Sequence, residues 1–202
     1  MECLFVINDG ETLFFCVILL PLCIFLYLCT MNILRRYYVW LRRLNHICGF
    51  GIQSPTDYWF VRYVVNERWP YYAYSFLTDN DWLTQKLGRL YFRLANWRQP
   101  AYMLIDDFQK YWKAGSQKIR FVSTLNKIEL GRITIEEIEK SLEILNQCDT
   151  QSVLVIEGIY RNSELWAAII NDERVGTSYD LYYCGILLFD KRPYHHHYVI
   201  NF

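Results

Sequence analysis

Ala101-Tyr102-Met103-Leu104-Ile105-Asp106-Asp107-Phe108-Gln109-Lys110 is the stretch on which the fold turns. Its first five residues form a short apolar run after Pro100, without the alternation of a half-buried strand. That is the pattern of a strand covered on both faces, as in a parallel sheet. Lys118–Ser123 and Ser152–Ile156 repeat it, so three buried strands are expected, separated by helical segments. Thr134 and Glu137 have capping-box spacing and open a helix expected to run to about Gln147. Asn162–Asn171 reads as a further helix. Three strands close the chain, Gly176–Tyr183, Ile186–Asp190 and His197–Phe202, broken by Cys184-Gly185 and Lys191-Arg192-Pro193. Alternating strands and helices followed by an antiparallel meander predict an α/β sheet with a non-parallel edge.

Upstream of residue 100 the pattern is helical. Ser54-Pro55 is a cap followed by proline at the first helical position, opening a helix to about Asn66. Tyr58, Trp59, Val61, Tyr63 and Val65 are its candidate buried residues. Asp81 starts a second helix through about Trp97, with Leu83, Leu87, Leu90, Tyr91 and Leu94 on one face. Ile33–His46 reads as a basic amphipathic helix that can lie on an anionic membrane face or pack on the domain. The chain thus divides into a hydrophobic segment 1–30, a helical region 31–99 and an α/β region 100–202.

Thr12–Leu34 contains no charged residue, and this length reaches the ~20 residues needed to cross a hydrocarbon core. Acidic Glu2, Asp9 and Glu11 precede it, and Arg35, Arg36, Arg42 and Arg43 follow. The positive-inside rule then keeps the C-terminal side cytoplasmic, with residues 12–29 as a possible membrane anchor on the inner face. Met31 offers a rival start, from which the chain would be cytoplasmic without a tether.

Composition limits the function. With 202 residues the chain is long enough for one core and too short for two ordinary domains. Its formal net charge of +0 argues against a nucleic-acid surface, which needs a basic excess. The 7 cysteines form no CxxC pair and read as reduced thiols.

From about Met31 to Phe202 the chain resembles small bacterial S-adenosylmethionine-dependent methyltransferase-like proteins of the class I fold. The resemblance is carried by Ser152-Val153-Leu154-Val155-Ile156-Glu157-Gly158-Ile159, Trp166, Tyr179-Asp180-Leu181, Gly185-Ile186-Leu187-Leu188-Phe189 and Tyr198-Val199-Ile200-Asn201-Phe202. Gly51-Ile52-Gln53-Ser54-Pro55 resembles the family's N-terminal G-I-H-S-P element, and Leu90-Tyr91-Phe92-Arg93-Leu94 the helix before its first strand. The resemblance implies a Rossmann-like α/β sheet of the methyltransferase type, with antiparallel C-terminal strands, an N-terminal helical cap and a hydrophobic N-terminal helix.

It also implies cofactor positions that this chain departs from. The family's first strand leads into a glycine-rich loop that lets the backbone approach the nucleoside. Here Asp106 takes the acidic position, but Phe108 and Lys110 stand where glycines belong, and Gly115 is too far along. The second strand should end in a carboxylate for the ribose hydroxyls, and Thr124 offers only a hydroxyl. Between Thr124 and Ser152 only one helix fits comfortably, with a fourth strand missing or shrunk to Arg132–Ile135. Glu157-Gly158 supplies one carboxylate where metal-dependent relatives place two oxygen ligands. Asp106, Thr124 and Glu157 are therefore remnant cofactor positions, with no catalytic residue and no metal site expected.

Other constellations are weaker. His195-His196-His197 lacks a third convergent ligand and reads as a polar edge strand. Asp106-Asp107 reads as a helix N-terminus or a solvated loop rather than an acid–base pair, and Cys48 beside His46 and Cys184 in a turn lack an orienting group. The seven tryptophans read as core filling in a helical cap. The expectation is a methyltransferase-like protein without catalysis and without bound S-adenosylmethionine. The alternatives are an active methyltransferase with an atypical cofactor site and a membrane-surface interaction protein on an α/β scaffold.

Overall fold

β4 (Cys148–Glu157) carries the apolar run Val153–Ile156, and its alternate residues enter two different cores. Val153 and Val155 face one cluster, with Leu87, Leu90, Tyr91 and Trp112; Leu154 and Ile156 face the other, with Ile138, Trp166 and Ile169. Successive strand side chains point to opposite faces, so a strand covered on both sides must be apolar at every position. The unbroken run in the sequence has this cause. The computed structural model describes residues 33–140 and 142–202. The 1–30 segment, with its expected hydrophobic helix and anchor at 12–29, lies outside them. Among the described residues no helix is long and apolar enough to cross a membrane.

The fold is mixed α/β. A five-stranded sheet has the order β3-β4-β6-β5-β7, ending on β7 (His196–Val199), and β1 (Tyr102–Leu104) pairs in parallel with β2 (Arg120–Val122) in a second, two-stranded sheet. β3 (Ile128–Thr134) runs parallel to β4, with Thr134 opposite Glu157. β6 (Cys184–Leu188) is antiparallel to both β4 and β5 (Thr177–Asp180). One face is covered by α3 (Trp82–Arg98) and α4 (Gln109–Gly115), and the other by α5 (Ile135–Lys140) and α6 (Ser163–Ile170). At Gly185 a Cβ would stand 2.2 Å from the Trp166 ring, so only glycine lets that indole lie against β6. α1 (33–42) belongs to a unit separate from the rest, which begins at Asn45.

The local signals work as their chemistry dictates. Ser54 accepts the Asp57 N–H at the start of α2 (Pro55–Phe60), and the helix continues as a π turn over Val61–Val65. Asp81 caps α3, and Asn162 caps α6. Thr134 and Glu137 close the capping box reciprocally, through Thr134 N–H to Glu137 at 2.8 Å and Glu137 N–H to Thr134 at 3.3 Å. Arg93 of α3 reaches back to the end of the π turn, donating to the Val64 and Val65 carbonyls at 2.7 Å each. It satisfies acceptors that a helix end leaves without partners.

Several expectations need correction. The segment after Thr124 holds a full seven-residue strand, β3, not a remnant at Arg132–Ile135. Its charges are accommodated by partners: the Glu129 carboxylate accepts the Ala101 N–H at 2.8 Å, and Arg132 pairs with Glu157. β1 and β2 are shorter and less buried than expected, since Tyr102 and Arg120 are exposed. The C-terminal strands are not a meander. β6 has both edges filled by β4 and β5, so β7 (His196–Val199) joins the open edge of β5 in parallel. The expected turn at Cys184-Gly185 lies earlier, at Tyr182 with φ 71°, and Cys184 is a buried strand residue. In α2 and its π turn Phe60, Val61, Val64 and Val65 are buried, whereas Tyr58, Trp59 and Tyr63 are exposed. The tryptophans do not mainly fill the core: Trp112 and Trp166 are buried, and Trp40, Trp59, Trp69, Trp82 and Trp97 are exposed.

Candidate functional site

Open α/β sheets bind ligands beyond the carboxyl ends of their strands. Here that edge is defined by the ends of β1, β3 and β4. The start of β1 meets the start of β3 through Ala101 and Glu129, and the loop after β1 meets the end of β3 through Phe108 and Arg132. The two strands therefore run the same way, and their carboxyl ends bound one crevice.

Side chains fill it. Phe108 follows β1 and is 6% exposed, with its ring edge-on to Tyr91 of α3 at 4.8 Å between centroids. Arg132 of β3 places its guanidinium 4.8 Å from the centroid of the Phe108 ring, a cation–π contact. The same guanidinium donates from Nε to Glu157 Oε2 at 2.6 Å, and the Tyr91 hydroxyl donates to that oxygen at 3.0 Å. Burial opposes the Arg132 charge, but the Glu157 hydrogen bond overcomes this and holds its pKa above the ordinary range. Burial, then the nearby Glu157 charge, raises the Tyr91 phenol well above its usual value. Each charge of this half-buried pair thus has a partner within the protein.

Asp106 sits at the other end of this chain of contacts. Its carboxylate accepts the Phe108 N–H at 2.9 Å and Trp112 Nε1–H at 2.8 Å. Trp112 stacks on Tyr91, with centroids 4.7 Å apart and planes at 14°. Asp106 and Glu157 are therefore linked through Trp112 and Tyr91 across the filled crevice. Burial raises the Asp106 pKa, and the two hydrogen bonds work against it. The loop avoids the strain that side chains would meet in a left-handed turn, because Phe108 has φ −99°. It takes a different path from a glycine-rich loop, folded around the Asp106 side chain.

The remaining remnant positions fare differently. Thr124 is exposed beyond the end of β2 and joins none of these contacts. Gly158 has φ 79°, and its N–H donates to the Tyr183 carbonyl at 2.7 Å. That left-handed conformation favours glycine at this position. Among the described residues no group of three or more His, Cys, Asp or Glu is placed to hold a metal ion. His196 and His197 instead bond Tyr198 and Ser178 through Nδ1, at 2.9 and 2.8 Å. Asp107 is exposed, while Asp106 is engaged as described. Cys184 is buried, and that burial raises its thiol pKa, leaving it protonated and unreactive.

Two features were not anticipated in the sequence. The first is the role of Arg132 and Tyr91, whose partners lie 25 and 66 residues away. Arg132 is a charge inside a strand, and such a charge requires a counter-ion; the isolated Glu157 after an apolar run was the complementary signal. The second is Asp57, 1% exposed. Arg192 grips it bidentately at 2.7 and 2.8 Å, and the Tyr179 and Tyr198 hydroxyls donate to it at 3.1 Å each. This network ties the Gly51–Pro55 element to the terminal strands.

A cavity of about 510 Å³ lies at the opposite edge, around Cys148, Glu173, Arg174, Asp190 and Arg192. Its guanidinium groups are committed: Arg174 to Asp172 and Arg192 to Asp57 and Asp190. Compared with protein-family models, with curated proteins and with solved structures, the chain finds no match.

Proposed function

We propose that the chain is a Rossmann-like domain of the methyltransferase type whose S-adenosylmethionine site has been converted into packed core, leaving a protein without catalysis. The carrying observation is the crevice beyond β1, β3 and β4, where Phe108, Tyr91, Arg132 and Glu157 satisfy one another. In an open doubly wound sheet the second strand lies outside the first and later strands lie on the other side. The parallel pair β1-β2, a separate small sheet whose β1 touches β3 through Ala101 and Glu129, is compatible with this reading, as is antiparallel β6 between β4 and β5.

The residues present do not fit the cofactor. Phe108 occupies the space beside Asp106, the Asp106 carboxylate is committed to Trp112, and Thr124 brings no charge to a ribose. Glu157 is neutralised by Arg132 instead of facing a ligand. Any remaining role is interaction, with residues 12–29 as an anchor to the inner face of a membrane. Mapping the N-terminal peptide by mass spectrometry tests the anchor: a chain beginning at Met31 removes it.

Thermal unfolding tests the central part. A ligand at 100 times its Kd stabilises a protein by about 2.7 kcal/mol. Millimolar S-adenosylmethionine is expected to leave the melting temperature of the full chain unchanged, and a rise of several degrees would overturn the proposal.

A further inference from the structure

α1 has an exposed apolar face. At about 100° per residue, Ile33, Leu34, Tyr37, Tyr38, Trp40 and Leu41 fall within an arc of about 160°. All six are exposed, from 44% at Ile33 to 64% at Tyr37, whereas Val39 on the opposite side is more covered. The helix thus does not bury its stripe in the manner of an ordinary surface helix. Arg35, Arg36, Arg42 and Arg43 occupy the rest of the circumference, and the Arg42 guanidinium stands 5.8 Å from the Tyr38 ring at the border of the two faces.

Two further observations select the occupant of this face. No acidic residue occurs in the sequence from Thr12 to Thr56, so the charges that α1 itself carries are all arginines. The charge-free stretch Thr12–Leu34 leads directly into the helix and is long enough to seek hydrocarbon. An apolar face rich in tyrosine and tryptophan, bordered by arginines, has the composition of a helix lying at the headgroup boundary of a bilayer. Basic side chains are drawn to a surface of net negative charge, which favours an anionic phospholipid surface over a neutral one.

We propose that α1 is an interfacial helix that inserts Ile33, Tyr37, Trp40 and their neighbours among the acyl chains of an anionic phospholipid bilayer while its arginines hold the phosphates. This goes beyond the loss of the cofactor site and is independent of it. Each basic side chain near an anionic surface strengthens attraction roughly fivefold. Four together make the preference for anionic lipid large enough to measure even where a preceding span already holds the chain to the vesicle.

The test uses the full chain reconstituted into phosphatidylcholine vesicles with and without 30% phosphatidylglycerol, the acyl chains brominated near the headgroup. Trp40 is read as the difference between the chain and W40F, which removes the signal of the other tryptophans. The expected result is at least twofold stronger quenching of Trp40 by brominated lipid in the anionic vesicles, abolished in R35Q/R36Q/R42Q/R43Q. Trp40 quenched by aqueous iodide instead, protected from both quenchers, or quenched equally in neutral and anionic vesicles would overturn the proposal. Protection from both quenchers would mean that a protein surface covers the helix.

Discussion

The guanidinium of Arg132 lies 4.8 Å from the centroid of the Phe108 ring. A strand residue and a loop residue thus close the crevice from its two walls, and Glu157 fixes the guanidinium from a third at 2.6 Å. Phe108 is packed at the turn where, on the proposed reading, a cofactor loop would have to be open. Phe108→Ala is expected to cost about 3–5 kcal/mol, the range for removing a buried phenylalanine. Urea denaturation of the two chains checks this; a loss below about 1 kcal/mol would mean that the ring is not part of the core.

Asp57 carries an acid-dependent part of the stability. Burial raises its pKa, but the Arg192 hydrogen bonds and charge prevail, and the carboxyl is held below its ordinary value of 3.8. A carboxylate with a depressed folded pKa contributes fully above the unfolded value and loses that contribution as pH falls through the folded one. Wild-type stability is therefore expected to fall in this acidic window more steeply than that of Asp57→Asn. At pH 7 the variant is expected to be weaker by about 1–3 kcal/mol, because Arg192 loses its buried partner but keeps Asp190. Denaturation profiles at pH 2.5–7 measure both effects.

How far the sequence disclosed this arrangement depended on whether the relevant physics was local. β4 was legible because coverage on both faces demands an unbroken apolar run, and the caps Ser54 and Thr134 were legible because their partners lie within three residues. β3 was not. Glu129 and Arg132 make Ile128–Thr134 look like a surface segment until Ala101 and Glu157, 28 and 25 residues away, are brought to them. At the candidate site Asp106 was visible as a match to a pattern, and Phe108 and Glu157 as departures from it. Tyr91 was visible only as a core position on a helix, and its hydroxyl's partner is set by tertiary structure. The exposed Trp59 and Tyr63 resemble core residues in sequence because hydrophobicity alone does not say which face of a helix is covered.

Lys86 gives a prediction at alkaline pH. Its amine lies 4.6 Å from the Phe202 ring centroid and 5.0 Å from that of Trp82. Burial, reinforced by repulsion from Arg93, lowers its pKa to about 8 from the ordinary 10.5. Between these values the unfolded chain holds more protons than the folded one, so stability rises with pH. Wild type is expected to gain on Lys86→Met as pH climbs from 8 to 10.5. Parallel stability profiles for the two chains across this interval would contradict the assignment.

Arg93 is expected to matter for stability rather than for binding. Arg93→Met keeps much of the apolar stem but leaves the Val64 and Val65 carbonyls without their donor. The expected loss is about 2–4 kcal/mol, from two hydrogen bonds to a charged group. Hydrogen exchange checks the location: protection should fall first at the π turn Val61–Val65. Uniform loss across the sheet would point to a different role.

The central claim is that the crevice beyond β1, β3 and β4 no longer receives a nucleoside. Calorimetric titration of S-adenosylmethionine into the full chain tests it most directly. The account predicts no saturable heat up to millimolar cofactor, and a saturable isotherm with micromolar affinity would contradict it.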